Sequence, residues 1–565
     1  MGESITGFHR AALAAVLLAT VFAYHGALRS GFVWDDSLTI VNNHAIDSLR
    51  AIPLWFIQPE TWSSRFETSY RPVITASFGL DVALWGRNPS RFHAVNLAIH
   101  LSVVLLTYFL ALRVWGHPWS AVLAAGLVAL HPINAEAVNY VSARSSLLST
   151  LFTLAAVVSW ARWNTHRPAA FAWLMGSLIL GGLALGTKET SVVLPLLIIA
   201  WDRATLDGNN ALAVTLRRSL PWWGLITLYL AWRTFVLWDS ITERPIADGI
   251  WQPVLFAVKI FLTSVWAWFV PIGWAIDHGW PWTIPPAQAP ALAAGALAAA
   301  AGTLASFRID RRIGWCAMWF WASLAPLAAV PWVSRITLYQ DHRVYLAGIG
   351  LALASGGLVR YAGAILPPRW WARVGAGVLA AVLVVAAVRV DAARTAVWRD
   401  ADRLWAHTLA LYPTSVLAIN HQALAWLEAG ETTRARDAFE ASARLAPGFA
   451  VTHNYLGVTY ARLGDLDRAV AEFSSAVRIS PLFLNARLNL GNAYERLGRF
   501  DLALAAYEEG VPDQPWAVDL IERAARLLTR INRPDEALAR YRRILAIEPD
   551  HRAARAALGQ PPRKE

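Results

Sequence analysis

Cysteine is almost missing from this chain. Its single thiol, Cys316, lies inside an apolar run, which excludes an intrachain disulfide and a thiolate zinc cluster. Lysine is nearly as scarce: Lys188, Lys259 and Lys564 are the only three among 50 basic residues. With so much alanine beside the arginine, this points to a GC-rich bacterial coding sequence. Charge as a whole is thin. Only 16% of the 565 residues are charged and 56% are apolar, whereas a soluble protein carries about a quarter charged residues. A soluble cytosolic enzyme and a disordered chain are both excluded, and a polytopic membrane protein with a soluble part attached remains. Nucleotide fingerprints are missing as well. No Walker loop, Rossmann glycine motif or zincin motif stands where it could work, so use of ATP or NAD has no support.

The formal charge of +11 resembles a nucleic-acid signal, but its distribution argues otherwise. From Arg394 onward there are 23 basic and 21 acidic residues. The surplus therefore sits in the apolar part, where arginine flanks membrane spans on the cytoplasmic side. No nucleic-acid partner is expected.

The first apolar run, Ala11 to Leu28, follows His9 and Arg10. It is long and no convincing small-x-small cleavage site follows, so it reads as a retained helix. Further runs of spanning length lie near 94–112, 119–130, 147–161, 170–186, 190–201, 221–238, 290–307, 313–332, 346–362 and 374–390. The stretch 253–271 contains Lys259 and is rich in Trp and Phe. If it does not cross, the clusters Arg308, Arg311, Arg312 and Arg360, Arg369, Arg373 all fall inside, as the positive-inside rule prefers. It is therefore read as interfacial or re-entrant. That leaves about eleven spanning helices and places the C-terminal part outside the cytoplasm.

That C-terminal part is a repeat. Pro413, Pro447, Pro481, Pro515 and Pro549 recur every 34 residues, as do Gly430, Gly464 and Gly498 with Asn532 in the fourth place. Ala435, Ala469, Ala503 and Ala537 keep the same step, and so do Phe439, Phe473, Tyr507 and Tyr541. A 34-residue period with small residues, an aromatic on the second helix and a terminal proline is the tetratricopeptide signature. Such repeats bind peptides or proteins; a rigid spacer or dimerisation arm is the plainer alternative. The expected domains are a membrane domain over 1–393 and a repeat domain over 394–565, with four repeats in 414–549 and flanking helices.

The topology puts several polar segments on the external side. The first loop holds Phe32-Val33-Trp34-Asp35-Asp36 and later Tyr70-Arg71-Pro72. Adjacent carboxylates near the membrane repel each other and lose solvation, which raises at least one pKa. A carboxylate tuned in this way can take a proton from an attacking hydroxyl; an Asp pair can also simply cap a helix. The second loop holds His131-Pro132, Glu136 and Arg144, ionisable groups at the edges of apolar runs. The third holds Lys188-Glu189, the fourth Asp277-His278 among Trp274, Trp280 and Trp282, and the fifth Gln340-Asp341-His342-Arg343. His342 and Arg343 could bind an anionic headgroup through charge-assisted hydrogen bonds, or anchor at the interface. A compartment without nucleotides calls for a membrane-borne donor, a lipid-linked phosphosugar.

Taken in order, these segments resemble the GT-C superfamily of membrane glycosyltransferases, in particular the transmembrane and tetratricopeptide-repeat O-mannosyltransferases and their bacterial relatives. Phe32 to Asp36, Tyr70-Arg71-Pro72, Asn88-Pro89, Phe92-His93-Ala94-Val95-Asn96, His131-Pro132 through Arg144, Lys188-Glu189 and Asp341 to Leu346 carry the likeness. The resemblance implies a GT-C-like, all-α membrane bundle followed by an α-solenoid. It implies a catalytic acid at Asp35 or Asp36, and a supporting role for Glu136 toward the acceptor or a divalent metal. It implies donor-phosphate contacts from Arg144, Lys188, His342 or Arg343. Animal members commonly carry Arg-Tyr before Leu-Tyr-Leu, whereas this chain has His342-Arg343 before Val344-Tyr345-Leu346.

The function expected on this basis is inverting transfer of a hexose, mannose by analogy. The donor is a polyprenyl-phosphate sugar and the acceptor a Ser or Thr hydroxyl of a protein held by the repeats. The expected place is a bacterial inner membrane with periplasmic repeats, or the endoplasmic reticulum membrane with luminal repeats. Two rivals stand beside it: the same donor chemistry on a glycolipid or cell-wall acceptor, and a non-catalytic membrane scaffold.

Overall fold

The computed structural model describes residues 7–58, 61, 70–163, 169–205, 212–237, 251–279, 283–333, 339–365, 370–481, 483–509 and 518–560. Among them there is helix and no strand, so the protein is all-α. The chain divides into two compact units, one of Met1–His278 with Thr283–Leu411, the other of Gly279–Trp282 with Tyr412–Glu565. The first unit thus extends past Arg394 to include the helix Ala401–Leu411.

Local chemistry sets the ends of the membrane helices. The helix Pro89–Trp115 starts where the Asn88 side chain accepts from the Ser90 backbone N–H at 3.1 Å and Pro89 pre-sets the first turn. It stops at Gly116, whose φ of +65° is the left-handed conformation glycine adopts without steric cost. Among the described residues, eight helices are long and apolar enough to cross a membrane, and the bent pair Pro118–Leu130 with Pro132–Asn139 makes a ninth if it counts as one span. Each of the eleven expected runs is helical. Four are short as single helices: Pro118–Leu130, Leu194–Thr205, Leu220–Val236 and Arg311–Leu324 have 13, 12, 17 and 14 residues. The stretch expected to be interfacial or re-entrant forms the unbroken 19-residue helix Trp251–Phe269. A re-entrant segment has to break, and this unbroken helix is among those long and apolar enough to cross.

The second unit is a row of helical hairpins. The pairs are Val416–Glu428 with Thr432–Leu445, Ala450–Leu463 with Leu466–Ile479, Leu484–Arg496 with Phe500–Glu508, and Val518–Arg530 with Pro534–Ile547. The repeat columns explain it. Gly430, Gly464, Gly498 and Asn532 turn each hairpin with φ of +85°, +85°, +71° and +61°. Ala435, Ala469, Ala503 and Ala537 are buried where the two helices meet, with Phe439, Phe473, Tyr507 and Tyr541 packed beside them. Pro515 lies outside the described residues.

Helix contact leaves no room for growth here. A Cβ on Gly457 would stand 2.6 Å from Phe473 Cε1. Gly457→Ala is expected to destabilise the repeats by about 1–3 kcal/mol. Thermal unfolding followed by circular dichroism would show it as a repeat transition moved down by a few degrees, and an unmoved transition would contradict the packing.

Candidate active site

The site is built on three polar segments that the bundle brings together. The first follows the helix Gly7–Tyr24. Trp34 takes a φ of +50°, a left-handed conformation that costs a bulky residue about 1–2 kcal/mol. Such strain persists only where the surroundings hold it. Asp36 is fully buried. Its Oδ2 accepts the Val33 backbone N–H at 3.0 Å, and its Oδ1 accepts both the backbone N–H and the hydroxyl of Ser142 at 2.8 and 2.6 Å. Burial pushes its pKa up, the Ser142 and Val33 hydrogen bonds pull it back, and the balance stands at about 7. Asp35 remains partly exposed. The sequence left the two aspartates equivalent. The structure makes Asp36 an anchor tying the first loop to the second, and leaves Asp35 the more exposed of the two, beside the Tyr140 phenol.

Aromatic rings wall this corner. Tyr140 lies between Trp34 and Trp398, with ring centroids 5.8 and 5.6 Å away in stacked geometry. Trp405 meets Trp34 edge-on at 5.9 Å. Burial, then Asp35 and Asp36, push the Tyr140 phenol well above its usual range.

The second and third segments meet at Glu136. Its Oε1 is 2.6 Å from His342 Nδ1, and its Oε2 accepts the Asp341 backbone N–H at 3.1 Å. The expectation that Glu136 supports an acceptor or a metal is corrected by this geometry. Its carboxylate is buried, and both oxygens face the protein. Among the described residues, no group of three or more His, Cys, Asp or Glu is placed to hold a metal ion.

A cluster of cations adjoins this seam. Arg71 makes a two-pronged contact with Glu189, at 3.3 and 3.1 Å. Arg233 donates to the Tyr70 carbonyl at 3.1 Å. Burial raises the Glu189 pKa, but Arg71 and Arg233 outweigh it and hold the carboxyl well below the usual range. Lys188 is buried and donates to Ser146 Oγ at 2.6 Å. Burial and then Arg71 lower its pKa to about 7; Arg343 adds to this, while Glu189 and Glu136 oppose it. Of the residues expected to contact a donor phosphate, Lys188, His342 and Arg343 are thus close enough to influence one another, with Glu136 beside them. His342 spends Nδ1 on Glu136, which leaves Nε2 as the ring nitrogen that can face a phosphate.

Arg144 does not belong with them. Its Nε donates to Asn96 at 2.7 Å, one terminal nitrogen to Asp81 and Ser77 at 2.6 and 2.9 Å, and the other to the Phe92 carbonyl at 3.0 Å. Phe78 and Phe92 cover its face at 5.0 and 5.4 Å. It is fully buried. The expected phosphate contact is corrected: this guanidinium holds the second loop to the helices Pro72–Trp85 and Pro89–Trp115.

Sequence reasoning missed Arg233, Tyr140 and Ser142 as site residues, and named Arg71 only inside a motif. The signal for Arg233 is an arginine within the apolar run Leu220–Val236. No comparable signal marks Ser142, whose importance lies in a partner 106 residues away.

Comparison with known proteins gives the following. A family profile described as dolichyl-phosphate-mannose-protein mannosyltransferase matches residues 85–238. Tetratricopeptide repeats match residues 452–481 and 484–511. Protein O-mannosyl-transferase TMTC1 of Mus musculus is 33% identical over 205 residues, 34% of this chain and 22% of the relative. TMTC3 of Homo sapiens is 33% identical over 144 residues, 25% of this chain and 16% of the relative. TMTC4 of Homo sapiens is 29% identical over 208 residues, 32% and 28% respectively. The chain thus spans less than a third of the length of each of these relatives. As the ordered motifs lead one to expect, it resembles the membrane protein O-mannosyl-transferases through its first unit and tetratricopeptide-repeat proteins through its second.

Proposed function

We propose that this protein is a membrane glycosyltransferase that moves a hexose, mannose by analogy with its relatives, from a polyprenyl-phosphate donor to Ser or Thr of a protein. The acceptor oxygen attacks the anomeric carbon with inversion as the bond to the lipid phosphate breaks. Asp35 takes the hydroxyl proton. The lipid phosphate leaves as an anion facing Lys188, Arg343 and Arg71, where fixed positive charge stabilises the transition state most. The reaction is placed on the non-cytoplasmic face: the periplasm if the membrane is bacterial, the lumen if it is that of the endoplasmic reticulum. The repeats hold the acceptor and raise its effective concentration.

One observation carries the reading. The segment entering the helix Arg144–Trp163 gives Ser142 to Asp36 and, four residues on, Ser146 to Lys188. The acid loop and the cation cluster are therefore both fastened to the start of one helix, four residues apart along the chain, which supports placing base and phosphate at a single site.

The test is transfer of labelled mannose from polyprenyl-phosphate mannose to protein by the full chain in lipid nanodiscs. Product on Ser or Thr supports the reading; sugar on lipid alone transfers it to the glycolipid rival, and no transfer sinks it. The pH dependence is a sharper check. Lys188 is a cation below about pH 7 and neutral above it. A bound phosphate favours the charged form, so donor binding is expected to take up a proton near pH 7. The KM for donor should rise as the pH passes upward through that value, and Lys188→Met should flatten the rise.

A further inference from the structure

We propose that Arg394, on the last turns of the helix Trp370–Val397 that leads toward the repeats, is a positioning residue for this site. It acts by fastening together the two segments that carry Glu136 and His342.

The geometry is that of a staple. Arg394 donates from one terminal nitrogen to the Pro132 carbonyl and from the other to Asp341 Oδ2 at 3.1 Å. Pro132 opens the segment that carries Glu136, and Asp341 opens the one that carries His342. The same seam is crossed a second time by Glu136 itself, through the Asp341 N–H and His342. Two fasteners thus share Asp341, Arg394 on its carboxylate and Glu136 on its amide. The far carboxylate oxygen of Asp341 stands 3.6 Å from His278 Nε2. The Arg394 guanidinium lies on the Trp274 ring at 4.3 Å, which fixes the plane of the fork.

An arginine suits this place for a stated reason. Its planar group reaches two acceptors in different directions while lying flat on an aromatic face, which the compact ammonium of lysine does not do.

The neighbouring residues work toward the same end. Trp398 stacks on Tyr140, the Arg399 carbonyl accepts the Gly31 N–H at 3.0 Å, and Trp405 meets Trp34. The stretch 394–405 thereby touches all three polar segments. A boundary drawn at Arg394 would cut through the site, and a deletion made there would remove more than the repeats.

The kinetic part of this inference rests on the proposed transferase reading; the structural part does not. The test uses the full chain with Arg394→Gln, Arg394→Lys and Asp341→Asn. Amide hydrogen exchange is read by mass spectrometry over 131–140 and 339–345. Arg394→Gln is expected to speed exchange in both segments while the repeat hairpins keep wild-type rates. Its kcat should fall by about 10²-fold, the scale of a misplaced catalytic group, with the KM for donor near the wild-type value. Arg394→Lys should recover part of the kcat and should leave the 131–140 segment loosened. Unchanged exchange in both segments overturns the proposal. So does a KM effect without a kcat effect, or wild-type turnover in Arg394→Lys. If Arg394→Gln does not fold, Asp341→Asn and Arg394→Lys decide by the same exchange readout. If the wild-type chain transfers no sugar, the transferase reading falls while the exchange result still judges the staple.

Discussion

Asp35→Asn is expected to lower turnover by about 10²–10⁴-fold, the usual contribution of a general base, with little change in the KM for donor. The amide keeps the shape of the carboxylate and loses its charge and its capacity to take a proton. The neighbouring substitution separates chemistry from structure. Asp36 accepts three hydrogen bonds from Val33 and Ser142. In Asp36→Asn the amide nitrogen must face a donor, and a buried mismatch of this kind costs about 1–3 kcal/mol. That variant should lose stability, loosen the link between the first two loops and lose activity as a consequence. Steady-state kinetics beside thermal unfolding distinguish the two. An Asp35→Asn enzyme of normal turnover would remove Asp35 from the mechanism.

The largest effect on stability is expected at Arg144. Arg144→Met removes one half of an ion pair in which both side chains are almost wholly buried, 0% exposed for the arginine and 5% for Asp81. Asp81 is then left charged and unpaired in an apolar setting, with Asn96 and Ser77 short of a donor. Breaking such a pair from one side costs about 3–5 kcal/mol, a large fraction of the roughly 5–15 kcal/mol that holds a domain together. The variant should express poorly or melt well below the wild type. Arg144→Met with Asp81→Leu should recover much of the loss, because the double change removes the charge as well as its partner. Failure of the second change to rescue would argue that Arg144 acts through Asn96 and the Phe92 carbonyl instead.

The mixed outcome at the expected site residues has a common physical cause. An arginine between two apolar runs, such as Arg144, reads the same in sequence whether its nitrogens meet a substrate or meet Asp81, Asn96 and Ser77. Glu136 is alike: an acid in an external loop is a candidate until both its oxygens are found on the opposite segment. Lys188 differs from these two in its surroundings, which hold Arg71 and Arg343 as well as Glu189 and Glu136. The Asp pair lay between these cases. Its loop was legible, but which carboxylate ties the loops together is set by Ser142, 106 residues away.

What sequence alone determined is whatever repeats within a few turns of helix. The apolar runs gave the all-α membrane class. The column Gly430, Gly464, Gly498, Asn532 gave four left-handed turns in their right places, asparagine included. Each of these depends on nearest neighbours along the chain and is written in spacing. Tertiary structure alone decided the pairings at long range: Asp81 with Arg144 across 63 residues, Asp36 with Ser142 across 106, Pro132 with Arg394 across 262. Hydrogen-bonding groups on distant segments carry no mark of their partners, because any buried donor satisfies any buried acceptor. Only the packing that brings two of them within 3 Å chooses which.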